Sequence, residues 1–222
     1  MKKTLLILSG VILFISFVCN VNIVCAQKTD KEIHKEMTSK VSKDVRKDAK
    51  RMKAEGWNVA PGSLPLEKLL QTAQEKQLMT DEKGQQKYIT ADGNGVAESK
   101  AAAEMQAIET AKLQLAGMIE TLMNSLVSTN LGNEQINRED AASVTQVVQT
   151  SKNLISTQLG YINPLFKIYR NVPNTKNVEV QVKVFYETAQ SLVIAKKVIK
   201  KELKEKMKMN DEQLDRITDF SK

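Results

Sequence analysis

The chain has 222 residues, 33 Lys and Arg against 26 Asp and Glu, a single histidine and two cysteines, for a formal charge of +7. The one histidine, His34, excludes the usual multi-histidine metal sites and leaves no Ser/His or Cys/His dyad for the core. Both cysteines lie before residue 27, inside a segment that reads as a removable leader, so residues 27–222 offer no thiol for disulfide, zinc or nucleophilic chemistry.

That leader has Lys2 and Lys3 ahead of an apolar run from Leu5 to Val18, and Val24-Cys25-Ala26 ahead of Gln27. The run is shorter than the ~20 residues that span a bilayer, so cleavage after Ala26 is expected, with an uncleaved N-terminal anchor as the alternative, and export follows, to the periplasm, the outer envelope or the medium. Cys19 and Cys25 both follow bulky residues, and lipidation is not expected.

The charge is concentrated at the two ends. Lys28 to Lys53 holds ten basic and five acidic residues, and Lys196 to Lys208 holds seven lysines against Glu202 and Glu205. From Thr29 to Ala54, Ile33, Met37, Val41, Val45 and Ala49 recur every four residues, the spacing of an amphipathic helix that Gly56 ends. A turn-rich connection through Pro61 and Gly62 follows. A second helix is then expected from Pro65 to Leu78, with Leu66, Leu69, Leu70 and Ala73 inward.

Lys87 to Ala91 reads as a short strand, stopped by a tight turn at Asp92-Gly93-Asn94-Gly95. A helix from Val96 to about Ser128 would carry Ala103, Ala107, Ala111, Leu115 and Ile119 in one row. Small residues come first along it and large ones later, as for a helix inclined to the surface it covers. A break at Asn130 to Asn133 leads to a helix from Arg138 to Thr157. Period-two alternation then sets in: Tyr161 to Arg170 and Asn177 to Glu187 form a hairpin, with Val178, Val180, Val182, Val184 and Tyr186 on one face. A last helix runs from Thr188 to Lys208, before a tail from Asp211 to Phe220. The expected class is α+β, a three-stranded antiparallel sheet covered by long helices in the order α-α-β-α-α-β-β-α. Its divisions are a leader (1–26), a helical segment (27–85), a core (86–208) and a tail (209–222).

From Ala91 to Ile119, and again where the strand Val178 to Tyr186 enters a helix, the chain resembles the Lpp-twenty family of small bacterial envelope lipoproteins. The shared pattern covers about Tyr88 to Ala195: an Ala-Gly-rich strand exit, alanines at helical spacing, and a late hairpin. The resemblance implies a non-enzymatic assembly or interaction role in the envelope. It brings no catalytic residues.

Chemistry-bearing candidates are few. Gly93-Asn94-Gly95 opens like a dinucleotide fingerprint, but Glu98 stands where the third glycine belongs and would repel phosphate. Val96 and Ala97 likewise spoil a calcium loop. Glu104 falls within the apolar arc of its helix, and pairing with Lys100 one turn earlier is the simplest account of it. His34 reads as a partly covered structural residue, and Trp57 as a core plug beside Gly56. On the last helix Lys196, Lys197, Lys200, Lys201, Lys204 and Lys208 share an arc of about 140°, opposite Ala195, Val198, Ile199 and Leu203. That face suits an acidic partner or an anionic surface, with membrane contact at most peripheral and no role for nucleic acid. The expectation is an exported structural or adaptor protein without catalytic residues, metal or cofactor. An enzyme built on Glu104 and a purely helical interaction module are the competing classes.

Overall fold

The computed structural model describes residues 41–133 and 138–218. The expected leader with its cleavage at Val24, Ala26 and Gln27, His34 and the other residues of the expected N-terminal helix before Val41, and Phe220 lie outside the described residues.

Helix α1 spans Lys43–Ala54, opened by Ser42, whose Oγ accepts the Val45 N–H at 3.2 Å. Gly56, at φ +86°, closes it, and its left-handed conformation turns the chain into strand β1, Asn58–Val59. After helix α2 (Leu66–Leu78) come strand β2 (Tyr88–Ala97) and helix α3 (Lys100–Asn133). Helices α4 (Arg138–Gln149) and α5 (Lys152–Gln158) lead to strands β3 (Pro164–Asn171) and β4 (Val178–Glu187). Helices α6 (Thr188–Met207) and α7 (Asp211–Ile217) complete the described chain.

The class is α+β, as expected, but the antiparallel sheet has four strands in the order β1-β3-β4-β2. The extra strand is β1, which pairs Asn58 with Tyr169 and Val59 with Ile168. Two residues are too few to show an alternating pattern, so only the partner strand makes them β.

Two cores form, one on each face of the sheet. The larger joins Ile89, Ala91, Val180, Val182 and Val184 to α3, α4, α5, α6 and α7. The smaller packs Phe166 and Ile168 against Ala49, Trp57, Leu66, Leu69 and Ala73. Trp57 is thus buried, as its place beside Gly56 suggested, and the Arg170 guanidinium stacks on its indole at 4.5 Å.

The turn expected at Asp92 to Gly95 does not exist. Strand β2 runs straight through it to Ala97, pairing with β4 from Tyr88↔Glu187 to Ala97↔Val178, and α3 starts four residues later than expected. Neither Gly93 nor Gly95 has a positive φ. Their role is clearance. A Cβ on Gly93 would lie 2.0 Å from the Ala107 carbonyl oxygen, and one on Gly95 would lie 2.2 Å from that of Ala103. The helix backbone therefore rests on the strand backbone, made possible by Gly93 and Gly95 below and by Ala103, Ala107 and Ala111 above, all three alanines fully buried.

The periods match. Two strand residues advance about 6.6 Å and four helix residues about 6 Å, so successive glycines meet successive helical turns. Along the same strand face, Ala91 and Ile89 replace glycine as Leu115 and Ile119 replace alanine on the helix. Both surfaces grow bulkier in the same direction, as an inclined helix requires.

Two more boundaries move. Helix α3 continues through the expected break, to Asn133. The expected helix from Arg138 to Thr157 divides at Thr150 and Ser151, whose hydroxyls donate to the carbonyls of Gln146 and Val147 and of Val148. The backbone tightens there as well, the Thr150 and Ser151 N–H groups donating to the Val147 and Val148 carbonyls three residues back, and α5 sets off separately. Pro65 caps α2 from outside its first turn, and Pro164 opens β3, where a missing N–H is tolerated.

Candidate functional site

Helix α6 follows β4 without a linker and buries Ser191, Ala195, Val198, Ile199 and Leu203. That burial fixes which way its lysines point. Lys197, Lys201 and Lys204 are exposed and Lys196 and Lys200 are partly covered, while Lys208, expected on the same arc, is exposed just past the helix end with a left-handed backbone at φ +52°.

The structure also brings acidic groups to this face. Helix α7 begins with Asn210, whose side chain accepts the Gln213 N–H at 2.9 Å in a capping box, and it buries Leu214 and Ile217 in the larger core. Its dock is secured by Asn130, whose Nδ2 donates to the Ile217 carbonyl at 2.9 Å. This seating presents Asp211 to Lys204 at 2.9 Å and Asp215 to Lys200. The lysine arc is thereby divided: the Lys200 and Lys204 side is answered by α7, while Lys197 makes no ion pair among the described residues. The alternation of Asp211 and Asp215 with Leu214 and Ile217 was the available sign that the tail was an amphipathic turn of helix.

Beside Lys197 lies a cleft of about 260 Å³ between α5 and α6, lined by Leu154, Thr157, Gln158, Lys197, Val198, Lys201 and Glu202. Glu202 is engaged by Lys206 at 2.8 Å, one turn along. Lys201 reaches Glu205 only at 3.9 Å, with both side chains largely in water. The cleft could not be assembled from sequence, because its α5 wall exists only where the preceding helix has broken.

Glu104 is ion-paired, as its position on the helix suggested, but to Lys167 of β3 at 2.6 Å rather than to Lys100. The Lys100 ammonium sits over the Tyr169 ring instead, 3.3 Å from its centroid. Another carboxyl stands out on α3: burial raises the pKa of Glu120, and the Lys152 charge only partly opposes it. Glu98 is exposed just before α3, in the link where Ser99 Oγ accepts the Ala102 N–H at 3.2 Å. Helix backbone fills the space over Gly93 and Gly95, so a phosphate cannot approach there.

Across the other sheet face runs a polar ladder. Lys183 bonds Asp92 at 2.7 Å; Glu179 accepts from Asn94 at 2.8 Å and from Arg170 at 2.6 Å. Burial alone would raise the Glu179 pKa, but the bonds from Asn94 and Arg170 outweigh it and hold the carboxyl below its ordinary value. These contacts tie β2, β4 and β3 together.

Among the described residues no helix is long and apolar enough to cross a membrane. Compared with known protein families, with curated proteins and with solved structures, the chain matches none.

Proposed function

We propose that this chain is an exported, non-enzymatic protein of the cell envelope, a structural or adaptor module that holds an acidic partner or an anionic surface against the lysine face of α6. One observation carries the reading. Three exposed lysines, Lys197, Lys201 and Lys204, stand on a helix whose opposite side is locked into the larger core, and a fourth, Lys208, follows its last turn. A rigid cationic face of this kind attracts polyanions without requiring the scaffold to move. The leader-like N-terminal segment and the resemblance to envelope lipoproteins support a location outside the cytoplasm.

Binding of the full chain to heparin and to phosphatidylglycerol vesicles, followed from low to high salt, tests it. Affinity should fall as salt screens the lysines. Replacing Lys197, Lys200, Lys201 and Lys204 together by Gln should weaken binding strongly. The ion pairs lost with Lys200 and Lys204 are surface pairs of about 0–1 kcal/mol each, so the fold should survive. Binding that ignores both salt and the four substitutions refutes the reading.

A further inference from the structure

Of the lysine face, the part beside α5 has the shape of a site. We infer that the cleft between α5 and α6 takes the phosphate headgroup of an anionic lipid, with Lys197 and Lys201 as its ammonium donors and Leu154 and Val193 meeting the apolar part. This rests on the anionic-surface reading above and makes it local.

The donors are free to act. Lys197 has no ion pair among the described residues, and Lys201 has only the long, solvated contact to Glu205. The acid in the lining, Glu202, is already answered by Lys206, so the mouth of the cleft is net positive. Thr157 has spent its proton on the Asn153 carbonyl at 3.0 Å, whereas the Gln158 side-chain amide makes no bond among the described residues. Two ammonium groups and one amide around a small cleft suit a tetrahedral oxyanion.

Exposed apolar groups select a lipid over a soluble polyanion. Leu154, in the cleft wall, is 41% exposed; Val193, one turn before Lys197 and in the middle of the lysine arc, is 68% exposed. Tyr161, three residues beyond Gln158, is 80% exposed. Aliphatic groups set among lysines, with a tyrosine close in the chain, are the composition of a surface that lies at a headgroup layer. A free phosphate or a sulfated sugar would use the lysines and gain nothing from the aliphatics.

The test compares full-length variants on vesicles of phosphatidylcholine with and without phosphatidylglycerol, with inorganic phosphate and heparin as soluble anions. K197Q/K201Q should weaken binding to phosphatidylglycerol vesicles by about fivefold per lysine, roughly 25-fold together. K204Q/K208Q, at the C-terminal end of the same helix and outside the cleft, should cost several-fold less. L154Q/V193Q should weaken vesicle binding and leave heparin binding unchanged, with circular dichroism confirming an unaltered fold. Equal losses from the two lysine pairs would overturn the cleft while leaving the anionic-surface reading intact. Unchanged vesicle binding by L154Q/V193Q, with inorganic phosphate competing as well as lipid, would overturn the lipid. No anion binding by the parent chain would overturn both readings.

Discussion

Gly93→Ala adds one methyl group, and the structure says where it must go. Its Cβ would stand 2.0 Å from the Ala107 carbonyl oxygen and 2.6 Å from the Ala111 nitrogen, against about 3.0 Å for the closest approach real Cβ atoms show. Both blocking atoms are backbone, so no rotamer change relieves the clash, and Ala111→Gly would not rescue it. Helix α3 must lift by about 1 Å, a gap that forfeits a quarter to a half of each dispersion contact it opens. Leu115, Ile119, Met123 and Val127, all fully buried on the same helix, would share that loss. Overpacking ordinarily costs ~1–3 kcal/mol, and a contact with no soft side belongs at or above the top of that range. Against it stands a gain of ~0.5–1 kcal/mol from replacing glycine inside a strand. The net expectation is a loss of ~2–3 kcal/mol, a fall in Tm of roughly 4–12 °C for a chain of this size. Urea unfolding should show a lower midpoint at constant slope. Gly117→Ala is the control: its nearest neighbour, Lys152 Cε, lies at 3.4 Å, and the change should stabilise α3 by up to about 1 kcal/mol. A Gly93→Ala protein within ~0.5 kcal/mol of the parent would refute the close-packing argument.

Strand β2 is an edge of the sheet, and two of its N–H groups are capped from α3: Gln114 Oε1 accepts from Asp92 at 3.1 Å and Gln106 Oε1 from Val96 at 3.0 Å. Q106A/Q114A should uncover that edge and produce concentration-dependent self-association in sedimentation experiments; a protein that stays monodisperse argues against the caps as guards. Glu179, with its carboxyl held below the ordinary value when folded, contributes stability above its unfolded pKa, and that contribution is lost as pH falls through the folded value. Glu179→Gln should therefore make stability less dependent on pH below about 4.5, and an unchanged acid limb in urea titrations would count against the ladder. Gln71 is buried on α2 with its Oε1 unbonded and its Nε2 only at the long distance of 3.5 Å from Glu75 Oε1, so Gln71→Met should raise the urea midpoint by the equivalent of about 1 kcal/mol. A destabilised variant would mean that the bond to Glu75 outweighs the unbonded oxygen.

The legibility of the fold followed the range of each interaction. Alternation from Val178 to Tyr186 reports a strand because its central residues on one face, Val180, Val182 and Val184, are buried, and the four-residue spacing from Val45 to Ala49 reports a helix because both residues are buried on one side of it. The alanine row from Ala103 to Ala111 correctly announced a helix able to come close to its support. Asp92 to Gly95 misled because glycine serves two needs, positive φ and missing volume, and the residue alone does not say which. The second need belongs to the partner, here the backbone of Ala103 and Ala107. Likewise β1 is β only through Tyr169 and Ile168, and Lys167 rather than Lys100 holds Glu104 because the sheet brings it within reach.

For the candidate site the division is the same. The amino-acid sequence by itself determined that the lysines of α6 share an arc, since helical periodicity and the apolar residues between them dictate it. Only the tertiary structure decided which of them remain available: α7 folds back to answer Lys200 and Lys204, and α5 breaks away to form a cleft beside Lys197 and Lys201. Periodicity is a property of one segment, whereas a charge partner or a cleft wall is supplied by another, and only packing brings the two together.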